Sequence, residues 1–199
     1  MDAETLAAYE RSAAERCARY RLIVPTELRQ FAQSFFHPGQ PTADIGCGGG
    51  RDVAWLNQHD FLAVGYDASP AMLAEARLAD PGIDVRAESL PALASIPDAA
   101  YANVLCAATL MHLPAEELPG AVAALARILR AGGRLLLSAR TSATGDPREA
   151  DGRLFTPLSA DLLGQLLAGA GLAVLQVRHE ADHYRPGVRW LTVLAERGP

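Results

Sequence analysis

Apolar and polar positions along this chain follow two alternating rhythms. Six short apolar runs read as strands: "PTADIG", "FLAVGYD", "IDVRAE", "YANVLCAA", "GRLLLSAR" and "LAVLQVRHEA". Helix-like stretches lie between several of them. In "SPAMLAEARLA", Ser69 is the N-cap, Pro70 takes the first helical position, and Met72, Leu73 and Ala76 share a face. In "EELPGAVAALARILRAGG", Val122, Leu125, Ile128 and Leu129 form the apolar stripe, with Gly132 and Gly133 as the expected stop. Strands alternating with helices predict a parallel sheet covered on both faces. A seventh run, "VRWLTVLAER", follows the sixth after only "DHYRPG", too short for a crossover helix, so the last two strands are expected to form an antiparallel hairpin. The fold class is therefore α/β, a doubly wound seven-stranded sheet, mostly parallel with an antiparallel last strand. The first 35 or so residues read as one or two amphipathic helices in front of the sheet.

Composition adds limits. The 199 residues show no internal repeat or compositional break, as expected of a single domain over 1–199. A formal charge of −5 argues against broad nucleic-acid binding, whose usual footprint is a basic stripe. The opening "MDAETLAAYERSAAERCARY" lacks the apolar core of a signal peptide. The longest apolar candidate, "LLGQLLAGAGLAVLQV", is interrupted by glycines and glutamines and does not read as a membrane span. Cys17, Cys47 and Cys106 are odd in number and form no CxxC, which fits reduced thiols in a cytoplasmic protein. His179 and His183 are four apart but fall on a strand and a turn, so no metal site is expected.

The chemistry concentrates in "TADIGCGGGRDVAWL". Its glycines fall at the first strand-to-helix turn, where an open α/β sheet binds ligands, and a helix beginning near Arg51 offers unpaired amides. The dinucleotide fingerprint GxGxxG fails here, because the position of its third glycine is Arg51. Asp44, at the end of the first strand, is awkward beside a pyrophosphate but suits a ligand with an ammonium group. Asp67 ends the second strand, about 20 residues after the glycines, and is placed to accept hydrogen bonds from both ribose hydroxyls. An adenosine-containing ligand is expected, with an NAD(P)-dependent oxidoreductase as the alternative to the reading that follows.

The ordered set "ADIGCGGGRDVAWL", "VGYDASPAMLAEAR", "LMHLP" and "ILRAGGRLLLSAR" resembles the successive motifs of the class I S-adenosylmethionine-dependent methyltransferases, over roughly residues 40–140. The tail from "AGAGLAVLQV" to "WLTVLAER" is similar to that family's last helix and closing hairpin. The resemblance implies the Rossmann-like sheet, S-adenosylmethionine as methyl donor, and S-adenosylhomocysteine as product. It implies a helical lid or cap over 1–38, a cofactor-binding core over 40–140, and an acceptor side over 141–199 with its loop at 141–153. Asp44, Gly46 and Gly48, within a loop that includes Cys47 and Arg51, would line the methionine moiety, and Ala107 would offer its carbonyl to the ammonium. Asp67 would hold the ribose, while Ala68 and Met72 would pack beside the adenine. Glu88 would read the adenine amino group with the Ser89 amide facing the ring; an alternative alignment on "LP" puts Arg86 there. Cys47 is read as a small packing residue. Ala102 departs from an acid common in relatives, at a position expected to lie away from the cofactor.

Methyl transfer from a sulfonium needs alignment and exclusion of water more than a fixed catalytic set. His112 is the candidate general base, against a purely structural role in its loop. Arg140 is the candidate for holding an acidic acceptor. Tyr20, ahead of Tyr9, is the candidate for closing over the methionine end. Trp55 and Trp190 read as core or sheet surface. The expected partner is a small-molecule methyl acceptor, with neither nucleic acid nor membrane, in a monomer or homodimer. A cofactor-binding protein without transferase activity is the remaining alternative.

Overall fold

The computed structural model describes residues 1–141, 147–182 and 187–199. Seven strands form one sheet: β1 (Pro41–Ile45), β2 (Leu62–Asp67), β3 (Asp84–Ala87), β4 (Tyr101–Ala107), β5 (Leu129–Arg140), β6 (Leu172–Ala181) and β7 (Arg189–Arg197). Their order is β3-β2-β1-β4-β5-β7-β6. Pairing is parallel from β3 through β5, and β7 runs antiparallel between β5 and β6. The doubly wound sheet with its closing hairpin is as the apolar pattern predicts.

Helices cover both faces. On one, Val122, Leu125 and Ile128 of α6 (Leu118–Ile128) and Leu163 and Leu167 of α7 (Ala160–Gly169) pack on Ile45, Val104 and Leu137. On the other, Val53 and Leu56 of α4 (Arg51–Asn57) and Leu73 and Ala76 of α5 (Pro70–Ala79) pack on Ala63, Leu105 and Leu136. Strand residues one apart supply opposite faces, as the pleat requires. Ser69 caps α5, accepting from the Met72 amide at 3.1 Å.

Two local expectations are corrected. The N-terminal part holds three helices, α1 (Ala3–Arg11), α2 (Ala13–Arg21) and α3 (Thr26–Phe35), because Ser12 and the Leu22–Pro25 segment interrupt the amphipathic pattern. Gly132 and Gly133 do not stop α6, which ends at Ile128 with Leu129 already extended. The glycines instead shape an irregularity in β5, where its register with β4 shifts between Tyr101 and Asn103. Gly132 has φ +68°, and a Cβ on Gly133 would lie 2.8 Å from the Arg130 carbonyl oxygen. "LLGQLLAGAGLAVLQV" divides between α7 and β6, and no helix among the described residues is long and apolar enough to cross a membrane.

Candidate functional site

β1 and β2 end side by side at the switch point, with β4 on the other flank of β1. A cavity of about 1010 Å³ opens above these carboxyl ends. The glycine turn forms its floor. Gly46 and Cys47 donate their amides to the Tyr66 carbonyl at 2.7 and 3.0 Å, folding the loop back over β2. Gly46 has φ +79°, and a Cβ there would meet the Thr109 hydroxyl oxygen at 2.1 Å. Only glycine fits, since the loop needs a left-handed residue and Thr109 comes up against it. Gly49 is approached by the Cys17 sulfur of α2, at 2.5 Å from a would-be Cβ.

Asp44 lies on this floor at 3% exposure. No hydrogen bond or ion pair reaches its carboxylate among the described residues. Burial pushes its pKa well up, and the nearby Asp52 and Asp67 push it further against the opposing pull of Arg51. A buried carboxylate without a donor fits a ligand's ammonium group. Asp67 is held differently: its two oxygens accept from the Gly48 amide at 2.8 Å and the Ser69 amide at 2.9 Å. Burial raises its pKa, while those amides oppose the rise. The carboxylate is thereby fixed in orientation, with lone pairs left for a diol.

Of the residues expected at the site, Asp44, Gly46, Cys47, Gly48, Arg51, Asp67, Ala68, Met72, Glu88, Ser89, Ala107, His112 and Tyr20 all line this cavity. Arg86 does not; it is exposed and paired with Asp84 at 2.5 Å, which leaves Glu88 as the acid at the end of β3. Glu88 lies partly buried, accepting from the Ser89 amide at 2.8 Å and the Ser95 amide at 2.7 Å. Burial raises its pKa, but the Ser95 and Ser89 hydrogen bonds win and hold it below the usual value. The Cys47 sulfur packs against Gly65 of β2, 2.7 Å from a would-be Cβ, in keeping with a packing residue. Arg51 acts as a clamp: its guanidinium pairs with Asp52 and donates to the carbonyls of Tyr20 and Ile23 at 3.3 and 3.2 Å.

Arg140 is the expectation the structure corrects. It does not line the cavity, because its guanidinium is drawn into an ion pair with Glu149 and lies 4.7 Å from the Phe155 ring centre. Arg153 lines the cavity instead, its guanidinium 5.1 Å from the Phe155 ring centre and 5.9 Å from the Tyr9 ring centre. Trp190 is on β7 and packs against the core, as the sequence pattern placed it, and it also lines the cavity. Of the 141–153 loop, residues 142–146 lie outside the described residues, as does His183.

Helices α1 and α2 roof the cavity. Tyr9 and His112 are in contact, with the Tyr9 oxygen 3.0 Å from His112 Nε2 and His112 Nδ1 2.7 Å from the Leu154 carbonyl. The carbonyl can only accept, so Nδ1 carries the proton and Nε2 accepts from Tyr9. Burial lowers the His112 pKa to about 4, so the ring is neutral at pH 7. A base role would require Tyr9 to give way first. Glu10 ties the roof to α5, accepting from the Ser69 hydroxyl and, at 3.2 Å, from the Ala71 amide. Sequence reasoning missed Thr109, Glu10 and Arg153. Thr109 and Glu10 act through partners more than 50 residues away, and Arg153 lies in a stretch without periodicity.

Comparison with known proteins supplies the reaction. Residues 43–137 match the family described as "Methyltransferase domain". Residues 43–137 form a methyltransferase domain of the class I S-adenosylmethionine-dependent kind. Solved structures share its fold. A methyltransferase of Methanosarcina mazei is 15% identical, with a TM-score of 0.73 over 88% of this chain and 98% of that one. The 1,6-didemethyltoxoflavin-N1-methyltransferase of Burkholderia thailandensis, bound to 1,6-didemethyltoxoflavin and S-adenosylhomocysteine, is 19% identical, with a TM-score of 0.74 over 98% and 88%. A chain from the Haloferax volcanii complex of the Trm112 methyltransferase activator with a methyltransferase is 16% identical, with a TM-score of 0.74 over 98% of each. No curated protein matches the sequence. The methyltransferase uses S-adenosylmethionine, and the unpartnered Asp44 in its cavity fits that molecule's ammonium group.

Proposed function

We propose that this methyltransferase methylates a small molecule by in-line displacement inside the roofed cavity. One observation carries this reading: the cavity of about 1010 Å³ lies beneath α1 and α2 and is at the upper end of the range for small-ligand sites. That volume suits the methyl donor together with a small acceptor, while the roof stands between the methyl position and a macromolecule. The net charge of −5 and the small-molecule acceptor of the Burkholderia relative support the same choice.

S-adenosylmethionine brings an already activated methyl group, so the chain's task is placement. Asp44 neutralises the ammonium, Gly46 and Gly48 let the backbone approach the methionine part, and the Ala107 carbonyl accepts from the ammonium. Asp67 holds the ribose. Ala68 and Met72 flank the adenine, with Glu88 and the Ser89 amide at its edge. Tyr20 and Tyr9 close the methyl end and exclude water. His112, already bonded on both nitrogens, sets the position of Tyr9.

The test is the destination of the methyl group. Protein incubated with methyl-labelled S-adenosylmethionine and a cell extract, then separated into metabolite, RNA and protein fractions, is expected to label the metabolite fraction. Label in RNA or protein overturns the reading.

A further inference from the structure

The methyl side of the cavity carries an electrostatic pattern that bears on the acceptor. Arg153 stands on its wall, with a side chain 11% exposed. An unbroken series of ion pairs runs Arg16–Asp151–Arg153–Glu149–Arg140. Both ends of the series are arginines, so three cations face two carboxylates. The excess of one positive charge sits in a poorly solvated region, where it acts over short range with little screening. The phenols of Tyr9 and Tyr20 stand beside it, and Phe155 and the neutral His112 add apolar ring surface, their centres 4.8 Å apart.

Tyr20 registers this field, whereas Tyr9 is held above its ordinary value by burial and by Tyr20, against the pull of Arg153 and Arg16. Burial raises the Tyr20 pKa, yet Arg16 and Arg153 together bring it below its ordinary value. On the β6–β7 side of the same cavity the balance differs. There Glu180 is pushed up to about 7 by burial and by its hydrogen bond with Glu27, so Glu180 is partly protonated near neutrality. The acidic side is thus partly self-neutralised, while the arginines cannot lose their charge.

We propose that the methyl acceptor is an aromatic hydroxyl compound bound as its oxyanion against Arg153, with Tyr9 and Tyr20 at the oxygen and Phe155 against the ring. This rests on the small-molecule reading above and names its substrate class. The acceptor releases its proton to solvent on binding. Its oxygen then attacks the methyl carbon; the O–C bond forms, the C–S bond breaks, and that electron pair returns to sulfur, leaving the neutral thioether. No base is needed at the transfer step, which agrees with a His112 whose nitrogens are both engaged. The protein's contribution is a preformed positive field that stabilises the nucleophile as an anion.

The probe is 4-nitrophenol, whose ionised form absorbs visible light, titrated into protein saturated with S-adenosylhomocysteine, with benzylamine and anisole in parallel. Saturation is confirmed by calorimetry in the same preparation. The bound phenol is expected to ionise about one pH unit lower than in solution, a tenfold shift. Arg153→Gln should abolish the shift and Arg153→Lys should keep most of it. Melting curves of both variants identify any that has simply unfolded, and Tyr9→Phe provides a second variant that leaves the ion pairs intact and should reduce the shift. An unshifted or raised pKa, the same shift in Arg153→Gln, or tighter binding of benzylamine or anisole overturns the proposal while leaving the small-molecule reading in place. Failure of all three probes to bind the loaded protein overturns both.

Discussion

Asp44 works against the fold that holds it. A carboxylate buried this deeply, with no donor of its own, is disfavoured in its charged form, and its pKa is raised accordingly. The sign follows: a raised carboxylate pKa subtracts stability above the unfolded-state value, increasingly as pH climbs toward the folded-state value. Asp44→Asn should therefore raise the melting temperature of ligand-free protein at pH 7, by about 2–4 °C for each kcal/mol relieved. The same change should weaken S-adenosylhomocysteine binding by about a hundredfold, near 3 kcal/mol, because a buried pair loses one member. A lower melting temperature with unchanged affinity would sink this assignment. Gly46→Ala tests the floor by a different route. The left-handed backbone and the Thr109 collision should together cost about 3 kcal/mol in denaturant titration, and a neutral result would mean that the turn can relax. At this scale local spacing was enough to bring Asp44, the glycines and Asp67 together, since all of them line one cavity. Thr109 was invisible because its partners are remote in the chain, Arg153 because its stretch has no periodicity to place it, and Arg140 misled because strand-end position says nothing about an ion pair with Glu149.

The roof is made of elements that are short and depend on tethers. Helices α1 and α2 have nine residues each, too few to be stable alone. They are held by packing of Cys17 on Met72, by Glu10 on the α5 cap, and by Arg51 on the carbonyls that end α2. Arg51→Ala removes the last of these, together with the Asp52 ion pair and a positive charge that acts on Asp44. It should speed amide exchange in α2 and weaken S-adenosylhomocysteine about five- to tenfold, the scale of one partly exposed charge-assisted contact. Faster exchange in β1 or β4 would instead mean that the sheet itself had loosened. Helices and strands were legible because 3.6- and 2-residue periods survive in the core. The end of α6 was not, since two glycines look alike whether they stop a helix or bend the start of a strand, and only pairing with β4 decides.

Across the whole molecule, the N-terminal helices meet the 148–155 segment above the sheet, and this junction responds to acid. Arg148 holds Asp2 well below the usual carboxylate range, and Asp151, though raised by burial, is brought to about 2 by Arg16 and Arg153. Depressed carboxylates stabilise at neutral pH and lose that contribution as pH falls through their folded-state values. His112 adds an earlier step. Its pKa is lowered, so the unfolded chain takes up a proton first, and stability should fall from about pH 6.5 to about 4, by about 3 kcal/mol in all. In His112→Gln the slope of melting temperature over that window should flatten; an unchanged slope would place the titration elsewhere. The overall topology was readable because the "DHYRPG" connection is too short for a crossover, which forces β7 to run antiparallel. The meeting of the two chain regions over the cavity was not readable, because no periodicity links Tyr9 to His112 or Arg16 to Asp151.

The proposed function stands on S-adenosylmethionine binding at the cavity floor between Asp44 and Asp67. Calorimetric titration of the purified protein with S-adenosylhomocysteine, with NADH alongside, tests it most directly. S-adenosylhomocysteine is expected to bind in the micromolar range or tighter and NADH not at all, with binding weakened about a hundredfold in Asp44→Asn and lost in Asp67→Ala. Binding unweakened by both substitutions, or a preference for NADH, would contradict it.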